Sequence, residues 1–273
     1  MLYPKQPKIA VSLTLLLLSF ISFSQTISTT TGPWNTGATW VGGVVPAPGA
    51  DVVIAAGHAV TIDVNTDVNS LTVEATASLI VADATGPFTM NISGDLANQG
   101  TITFLSGGGT GEVNTTFDNT TTVVISGSGT STFNDLTVDG TGNVINVNAF
   151  TASGNFAVGT SNSNLSFTSN NTGLIFLGDF TLANSASFAS SGSTTSFDGT
   201  SAQLIDLGGG SATFNNVDFD GNSVKTINGN LTTTGGTVQL LGTTSVTDQS
   251  PGNVHTVHHS HASHHTHTTS IIR

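Results

Sequence analysis

One stretch of the sequence occurs twice, and it limits what the chain can fold into more than any other feature. The first copy reads FDNTTTVVISGSGTSTFNDLTVDG from Phe117, and the second reads FDGTSAQLIDLGGGSATFNNVDFDG from Phe197, 80 residues later. Internal repetition of this kind is typical of stacked-repeat proteins, in which neighbouring units bury one continuous core. The repeat therefore favours an elongated architecture over a globule built around a single core.

Within each copy, apolar and polar residues alternate as they do in half-buried β-strands. Leu136 and Val138 share the apolar face in the first copy, and Val217 and Phe219 share it in the second. Because turn residues separate such strands with no helical pattern between them, we predict an all-β fold, a right-handed parallel β-helix. The 15 Phe residues, against one Tyr, are expected to stack in its narrow core. An array of antiparallel β-sandwiches is the alternative, since alternation does not fix strand direction.

The start of the chain differs in composition from the repeats. Residues 1–25 combine Lys5 and Lys8 with the apolar run AVSLTLLLLSFISF, and this pattern predicts a secretory signal peptide. A membrane anchor is the alternative, although the run is short for the roughly 20 residues of a membrane span. Residues 26–75 are predicted to form an N-terminal cap and the first coils, and residues 76–242 the solenoid repeats. The mature chain would then have no transmembrane segment.

The end of the chain is rich in histidine. Residues 243–273 hold seven of the eight His residues and show no alternation, which predicts a disordered, flexible tail. Clustered imidazoles bind Zn, Ni or Cu, but a fixed site needs partners that orient its ligands. We therefore predict adventitious metal binding there and no evolved metal site. A second interpretation is that the tail marks a truncated or frame-shifted gene end.

Charged residues make up only 7% of the sequence, which excludes several classes of partner. The formal net charge is −12, and without residues 1–25 the only fixed cations are Lys225 and Arg273. So few cations cannot neutralise phosphates, which argues against nucleic acid and against anionic lipid. The chain has no Cys, so its stability must come from core packing and backbone hydrogen bonds rather than from disulfides.

Two tryptophans precede a turn rich in Gly and Pro in the N-terminal segment. Trp34 and Trp40 come before residues 42–49, and a strand begins at Asp51. Terminal repeats of a solenoid are atypical because they cover an unpaired edge, so the two rings are expected to close this end. The alternative is that Trp34 and Trp40 are ligand-binding residues that form a platform for sugar rings.

The same segment resembles the start of the eight-glycine domain. The likeness covers about a fifth of the chain and rests on Trp34, Trp40, Gly43, Pro46, Gly49-Ala50-Asp51, Val53-Ile54, Gly57 and the VTID run that ends at Asp63. This resemblance implies an extracellular or carbohydrate-associated role. The later repeats are similar in style to those of bacterial surface proteins exported by the type IX route, which usually run longer and finish with a sorting domain. Together the two likenesses imply a location, secreted or on the outer bacterial cell surface, rather than a reaction.

The acidic residues of the repeats are the candidates for chemistry. Asp135 and Asp139 share the polar face of one predicted strand, and Asp218 and Asp220 share that of another. A glycosidase needs such paired carboxylates, but active sites are seldom duplicated within a repeated unit. A lyase needs a cation beside its base, and Lys225 is the only candidate. We therefore predict no catalytic residues, and we assign Asp218 and Asp220 to ligand binding.

A calcium site is the remaining alternative for the second acidic pair. Asn215 and Asn216 are close in sequence to Asp218 and Asp220, but calcium takes six to eight oxygen ligands and this set supplies fewer. We predict solvated turn residues, no cofactor, and a surface position for His58. The sequence thus predicts a secreted or cell-surface structural or adhesive module whose partners are extracellular polysaccharides or cell-surface components. A carbohydrate-active β-helix enzyme that uses the surface acids is the alternative.

Overall fold

The structure is a computed structural model that describes residues 25–82, 86–105, 110–170, 173–234 and 236–248, together with the backbone of residues 255–260 and 266–271. The predicted signal peptide, apart from Gln25, lies outside the described residues. The described residues form β-strands and two short 3-10 helices, Gly37–Thr39 and Val41–Gly43. Among them, no helix has the length and apolar character needed to cross a bilayer.

The strands are short and follow one another closely along the chain. In chain order they are β1 (Thr26–Ile27), β2 (Gly32–Pro33), β3 (Ala50–Ile54), β4 (Ala59–Ile62), β5 (Thr66–Val73), β6 (Ser78–Val81), β7 (Phe88–Ile92), β8 (Leu96–Asn98), β9 (Thr101–Thr103), β10 (Val113–Phe117), β11 (Val123–Ser126), β12 (Thr130–Phe133), β13 (Leu136–Val138), β14 (Val144–Asn146), β15 (Phe150–Ala152), β16 (Phe156–Val158), β17 (Ser166–Asn170), β18 (Leu174–Phe176), β19 (Phe180–Leu182), β20 (Ser187–Ser191), β21 (Thr194–Phe197), β22 (Gln203–Asp206), β23 (Ser211–Phe214), β24 (Asn216–Phe219), β25 (Val224–Asn228), β26 (Leu231–Thr233), β27 (Val238–Leu240), β28 (Ser245–Asp248), β29 (His255–Ser260) and β30 (Thr266–Ile271).

These strands pair in three parallel ladders that run the length of the molecule. Ladder 1 contains the first part of β5 (residues 66–68), which pairs with β7, followed by β7, β10, β13, β16, β19, β22, β25 and β28. Ladder 2 contains β1, β3, β5, β8, β11, β14, β17, β20, β23 and β26. Ladder 3 contains β2, β4, β6, β9, β12, β15, β18, β21, β24 and β27. The chain is therefore a parallel β-solenoid of about 10 coils, as predicted, and the antiparallel sandwich alternative is wrong.

One coil takes one strand from each ladder. Phe176, Phe197, Phe219 and Leu240 are successive partners in ladder 3, which gives 21 to 22 residues per coil in this part of the molecule. The 80-residue spacing of the duplicated stretch is not a whole number of such coils. As a result, Phe117 ends β10 in ladder 1, whereas Phe197 ends β21 in ladder 3. Each copy holds the end of one strand and the three strands that follow it, about one coil, and the two copies start on different ladders.

The core is a column of phenylalanine rings between the three ladders. Phe156 is buried and its ring contacts the rings of five other phenylalanines, with centroids 4.9 to 6.3 Å apart. Phe167 and Phe188, which are partners in ladder 2, stack with centroids 5.6 Å apart and planes 3° apart. The aromatic core that the sequence predicted is thus observed from Phe104 to Phe219, where it ties successive coils together, while aliphatic residues such as Ile62 and Leu79 fill the core of the first coils.

Strand pairing extends beyond residue 242, where the alternation in the sequence ends. Strand β28 pairs in parallel with β25, and the backbone of β29 pairs in parallel with β27. The backbones of β29 and β30 form an antiparallel pair. Part of the segment predicted as a tail therefore continues the ladders, while its flexibility stays a prediction.

Candidate functional site

The two tryptophans pack against each other inside the molecule. Their ring centroids are 4.9 Å apart with an angle of 73° between the planes, and the Trp40 Nε1–H donates a 2.8 Å hydrogen bond to the Trp34 carbonyl oxygen. Trp34 is 3% exposed and Trp40 is 1% exposed. Since neither ring offers a face to a ligand, the platform interpretation is wrong, and Trp34 and Trp40 are core residues.

The first acidic pair is occupied by hydrogen bonds from the backbone. Asp135 Oδ1 accepts a 2.7 Å bond from the Asn155 N–H, and Asp139 Oδ1 accepts bonds of 2.6 and 3.0 Å from the N–H groups of Ser161 and Asn162. Partial burial raises the pKa of Asp139, but the hydrogen bonds outweigh that effect and the pKa lies below its usual value. Asp139 therefore stays ionised to a lower pH than usual and is a poor proton donor.

The hydrogen bond to Asp135 is one of a series of similar bonds that recurs from coil to coil. Asn155 Oδ1 in turn accepts from the Asp179 N–H at 3.0 Å, and Asp179 Oδ1 accepts from the Leu204 N–H at 2.8 Å. Each Asx side chain therefore satisfies a backbone N–H of the following coil. This placement gives these acids a structural role, because an unpaired N–H at the start of a strand would be costly.

The second acidic pair has a different environment. Asp218 lies on the outer side of β24, half-buried, with Ser196 and Gln239 as its partners in ladder 3. Burial raises the pKa of Asp218, and the negative charge of Asp220 raises it further. Asp220 follows the end of the strand, and its Oδ1 accepts a 2.7 Å bond from the Gly221 N–H. Asp218 is thus an acid that holds its proton to a higher pH than usual.

Lys225 is close to Asp198 and Asp220 in the fold, but it is not on the surface. Its side chain is buried, and Nζ donates hydrogen bonds of 2.7 Å to the Gly199 carbonyl oxygen and 3.0 Å to Ser223 Oγ. Burial lowers the pKa of Lys225, and the charges of Asp198 and Asp220 partly oppose this effect. The cation that the sequence offered for lyase chemistry therefore fastens one coil to the next.

The structure also shows the position of His58, and it shows whether candidate metal ligands gather in space. Half-buried His58 interacts through Nδ1 with Ser28 Oγ at 2.9 Å, and that hydroxyl oxygen accepts the Ala55 N–H at 2.8 Å. His58 is therefore a bridge to the first strand rather than a free surface residue. Within the part of the chain that the structure describes, no three His, Asp or Glu side chains gather as metal ligands.

Replacing Asp218 with Asn is expected to stabilise the protein at neutral pH. Because the folded-state pKa lies above 3.8, ionisation of Asp218 opposes folding, and this penalty grows as the pH rises from 3.8 through the folded pKa. The gain should stay below about 1 kcal/mol, since the carboxylate is partly solvated, and it should vanish below pH 3.8. Urea unfolding across this pH range measures it. Asp139→Asn is the control, because the pKa of Asp139 is lowered and its substitution should therefore reduce the stability at neutral pH. If Asp218→Asn also reduced the stability at neutral pH, the prediction would be contradicted.

The outward residues of the ladders form rows with one residue per coil, about 4.8 Å apart. The row on ladder 3 contains Thr61, Ile80, Thr103, Thr132, Thr151, Ile175, Ser196, Asp218 and Gln239. The row on ladder 1 contains Asn91, Thr116, Thr137, Ala157, Thr181, Asp206 and Asn228. Hydroxyl and amide groups dominate both rows, so the solenoid presents two largely uncharged polar strips.

A groove of about 510 Å³ interrupts the surface of ladder 3 where the chain enters it from ladder 2. It crosses three consecutive coils and is lined by Gly127, Ser128, Gly129, Thr130, Ser131, Val147, Asn148, Ala149, Phe150, Thr151, Gly173 and Ile175. None of these lining residues is charged. Sequence reasoning missed this groove, because its parts come from three segments that only the register of the ladders brings together.

Comparison with known proteins identifies one region of the chain. Residues 39–104 match the G8 domain. The match confirms the resemblance of the N-terminal segment to the eight-glycine domain and extends it to the end of β9. No curated protein and no solved structure gives a significant match to the chain.

The G8 region corresponds to the first coils of the solenoid. It runs from the first 3-10 helix through β9 and includes Trp40 but not Trp34. The groove, Asp218 and Lys225 all lie beyond its last residue. The likeness to the G8 domain therefore concerns the start of the rod, and the chemistry of the later coils has to be argued from their own residues.

Proposed function

We propose that this chain is a secreted or cell-surface structural and adhesive module that binds without catalysis. Its partners would be extracellular polysaccharides or other cell-surface components, contacted through the polar rows. The observation that carries this proposal is the row on ladder 3, in which hydroxyl, amide and aliphatic side chains and one acid, Asp218, recur once per coil from Thr61 to Gln239. A periodic surface of this kind matches a periodic ligand.

The rod would act by adding many weak contacts. Each hydroxyl or amide of a row contributes little alone, because it exchanges a hydrogen bond with water for one with the ligand. Contacts on one rigid body follow one another as intramolecular events, so the total affinity exceeds that of any single contact. The phenylalanine column keeps the rows rigid, and little conformational entropy is lost when a ligand binds.

Two features support a role without catalysis. The carboxylates of Asp135 and Asp139 accept backbone hydrogen bonds, so they hold coils together. The ammonium group of Lys225 is buried against Gly199 and Ser223. The signal sequence pattern and the G8 region support an extracellular location, and the repeat style supports export to a bacterial surface by the type IX route.

A carbohydrate-active enzyme is the second candidate, and Asp218 is the observation that favours it. An acid whose pKa is raised by burial is what general acid catalysis requires. Glycosidases use two carboxyl groups, and Asp220 is close enough for its negative charge to raise the pKa of Asp218. Asp218 with Asp220 as the base would be the pair.

Binding and hydrolysis assays on the full chain test the two candidates together. We expect retention on immobilised polysaccharide that is at least about tenfold stronger than binding to the matching soluble oligosaccharide, with no release of reducing sugar. The Asp218→Ala/Asp220→Ala double variant should keep most of this retention. Reducing-sugar release that disappears in the double variant would establish the enzyme instead, and equal affinity for the soluble and immobilised forms would contradict the multivalent mechanism.

A further inference from the structure

We propose that the groove on ladder 3 is a binding site for a short segment of an uncharged polysaccharide. The inference rests on the proposed adhesive function and adds to it the location of a specific site and the class of ligand. The rows alone would bind any polar polymer weakly. A groove across three coils, which span about 10 Å, would instead select a ligand by shape and charge.

The groove exists because two side chains are small where neighbouring coils carry larger ones. Ala149 and Gly173 immediately precede β15 and β18 on the outer side of ladder 3. The equivalent position is filled by Thr101 and Thr130 in the coils before them and by Thr194 in the coil after them. The depression is therefore a local feature of three coils, and its volume of about 510 Å³ is within the range of about 300–1,000 Å³ for ligand sites.

Backbone forms one wall of the groove. Gly127 has a φ of +113°, and a Cβ atom at this position would collide with the carbonyl group of Asn98 in the previous coil. A Cβ atom at Gly129 would collide with the backbone of Gly100 in the same way. Because both positions require glycine, this wall stays free of side chains and a ligand could approach the backbone closely.

The lining combines aliphatic and hydroxyl groups. Val147 and Ile175 are 40% and 37% exposed at positions where most coils present polar residues. Ser128, Thr130 and Thr151 supply hydroxyl groups beside them. A sugar ring has the matching character, with C–H groups on its faces and hydroxyls around its edge. Since none of the lining residues is charged, an anionic sugar would lose hydration there without gaining a cationic partner.

Asn148 fixes the floor of the groove. Its N–H donates to Asn146 Oδ1 at 3.2 Å and its carbonyl accepts from Asn146 Nδ2 at 2.7 Å. Its side chain is 4% exposed and lies on the inner face, between the exposed residues Val147 and Ala149. The shape of the groove is therefore set by the fold before a ligand arrives, which lowers the entropy cost of binding.

Filling the groove with a tryptophan at position 173 tests the proposal. No described atom lies within 4 Å of a Cβ atom added to Gly173, and its φ is not in the left-handed region, so Gly173→Trp should fold normally. Thr237→Trp is the matched control, because this exposed residue holds the equivalent position three coils further along. Thermal unfolding of both variants should agree with that of the wild-type chain.

Binding is measured by titration calorimetry with hexaoses of neutral cello-, xylo- and laminari- type and with oligogalacturonate. We expect the wild-type chain to bind at least one neutral hexaose and to prefer it to oligogalacturonate. Gly173→Trp should weaken that binding by at least tenfold, and Thr237→Trp should change it by less than twofold.

The outcomes separate the groove from the wider function. Unchanged binding in Gly173→Trp, equal losses in both tryptophan variants, or a preference for oligogalacturonate would each overturn the groove proposal. If the wild-type chain and the Gly173→Trp variant are retained equally on immobilised polysaccharide, the groove proposal is wrong and the adhesive function stands. If the wild-type chain binds neither soluble nor immobilised glycan, both proposals fail.

Discussion

Replacing Phe156 with alanine is expected to lower the free energy of unfolding by about 3–5 kcal/mol. The ring is buried in the middle of the rod and contacts five other phenylalanine rings, two of them in the neighbouring strands β15 and β17. Its removal loses the transfer free energy of the ring and leaves a cavity between coils. Each aromatic contact adds about 0.5–1.5 kcal/mol beyond the area that it buries, so the loss should lie toward the upper end of the range.

The same substitution should also divide the rod. The stability of a solenoid is approximately the sum of the coils and of the contacts between nearest neighbours, so a weak contact in the middle uncouples the two halves. We expect the single urea transition of the wild-type chain to broaden or to split into two in Phe156→Ala. Ala157→Ser, on the outer side of the same strand, should change the stability by less than about 0.5 kcal/mol. A loss below about 1 kcal/mol in Phe156→Ala would show that the column does not couple the coils.

The inner and outer faces of the strands could be predicted because alternation is local. The sequence assigned Leu136, Val138, Val217 and Phe219 to the core, and all four are at most 1% exposed. Each assignment needs only the residues of one short strand, whose side chains point to opposite sides by geometry. The parallel arrangement was predicted from the absence of helices together with the repetition, and it is observed.

The ladder that each strand joins could not be predicted in this way. It depends on the lengths of all preceding turns, and a few residues more or fewer per coil move a motif to another face. The acidic pairs show the consequence. Asp135 and Asp139 were expected on one strand face, but β13 contains only Leu136–Val138, and both acids lie in the turns that flank it. Asp218 and Asp220 are likewise divided between strand β24 and the corner that follows it.

Two features of the candidate site could be recognised from the alternation of residues along the strands, although the hydrophobicity of the residues favours the wrong assignment. Lys225 and Ile227 alternate with Thr226, which places the lysine on the inner face, and Val224 is 45% exposed beside it. A hydrophobicity pattern favours the opposite assignment, because valine is the more apolar residue. Likewise, Val147 and Ile175 are exposed at the groove, and alternation with the buried Asn146 and Leu174 is what identifies them as outward residues.

Replacing Trp40 with alanine is expected to destabilise the protein by about 3–5 kcal/mol and to cause self-association. Trp40 is 1% exposed, packs edge-on against Trp34, and donates a hydrogen bond to the Trp34 carbonyl oxygen, so the substitution removes the ring and leaves that oxygen without its partner. The first strands of ladders 2 and 3, β1 and β2, have two residues each, and an end that loses its packing exposes strand edges that pair with other chains. Urea unfolding and light scattering measure the two effects. Val41→Ala, at a neighbouring residue that is 60% exposed, is the control and should change neither the stability nor the self-association. If the Trp40→Ala protein stays monomeric and loses less than about 1 kcal/mol of stability, the tryptophan pair does not close this end of the rod.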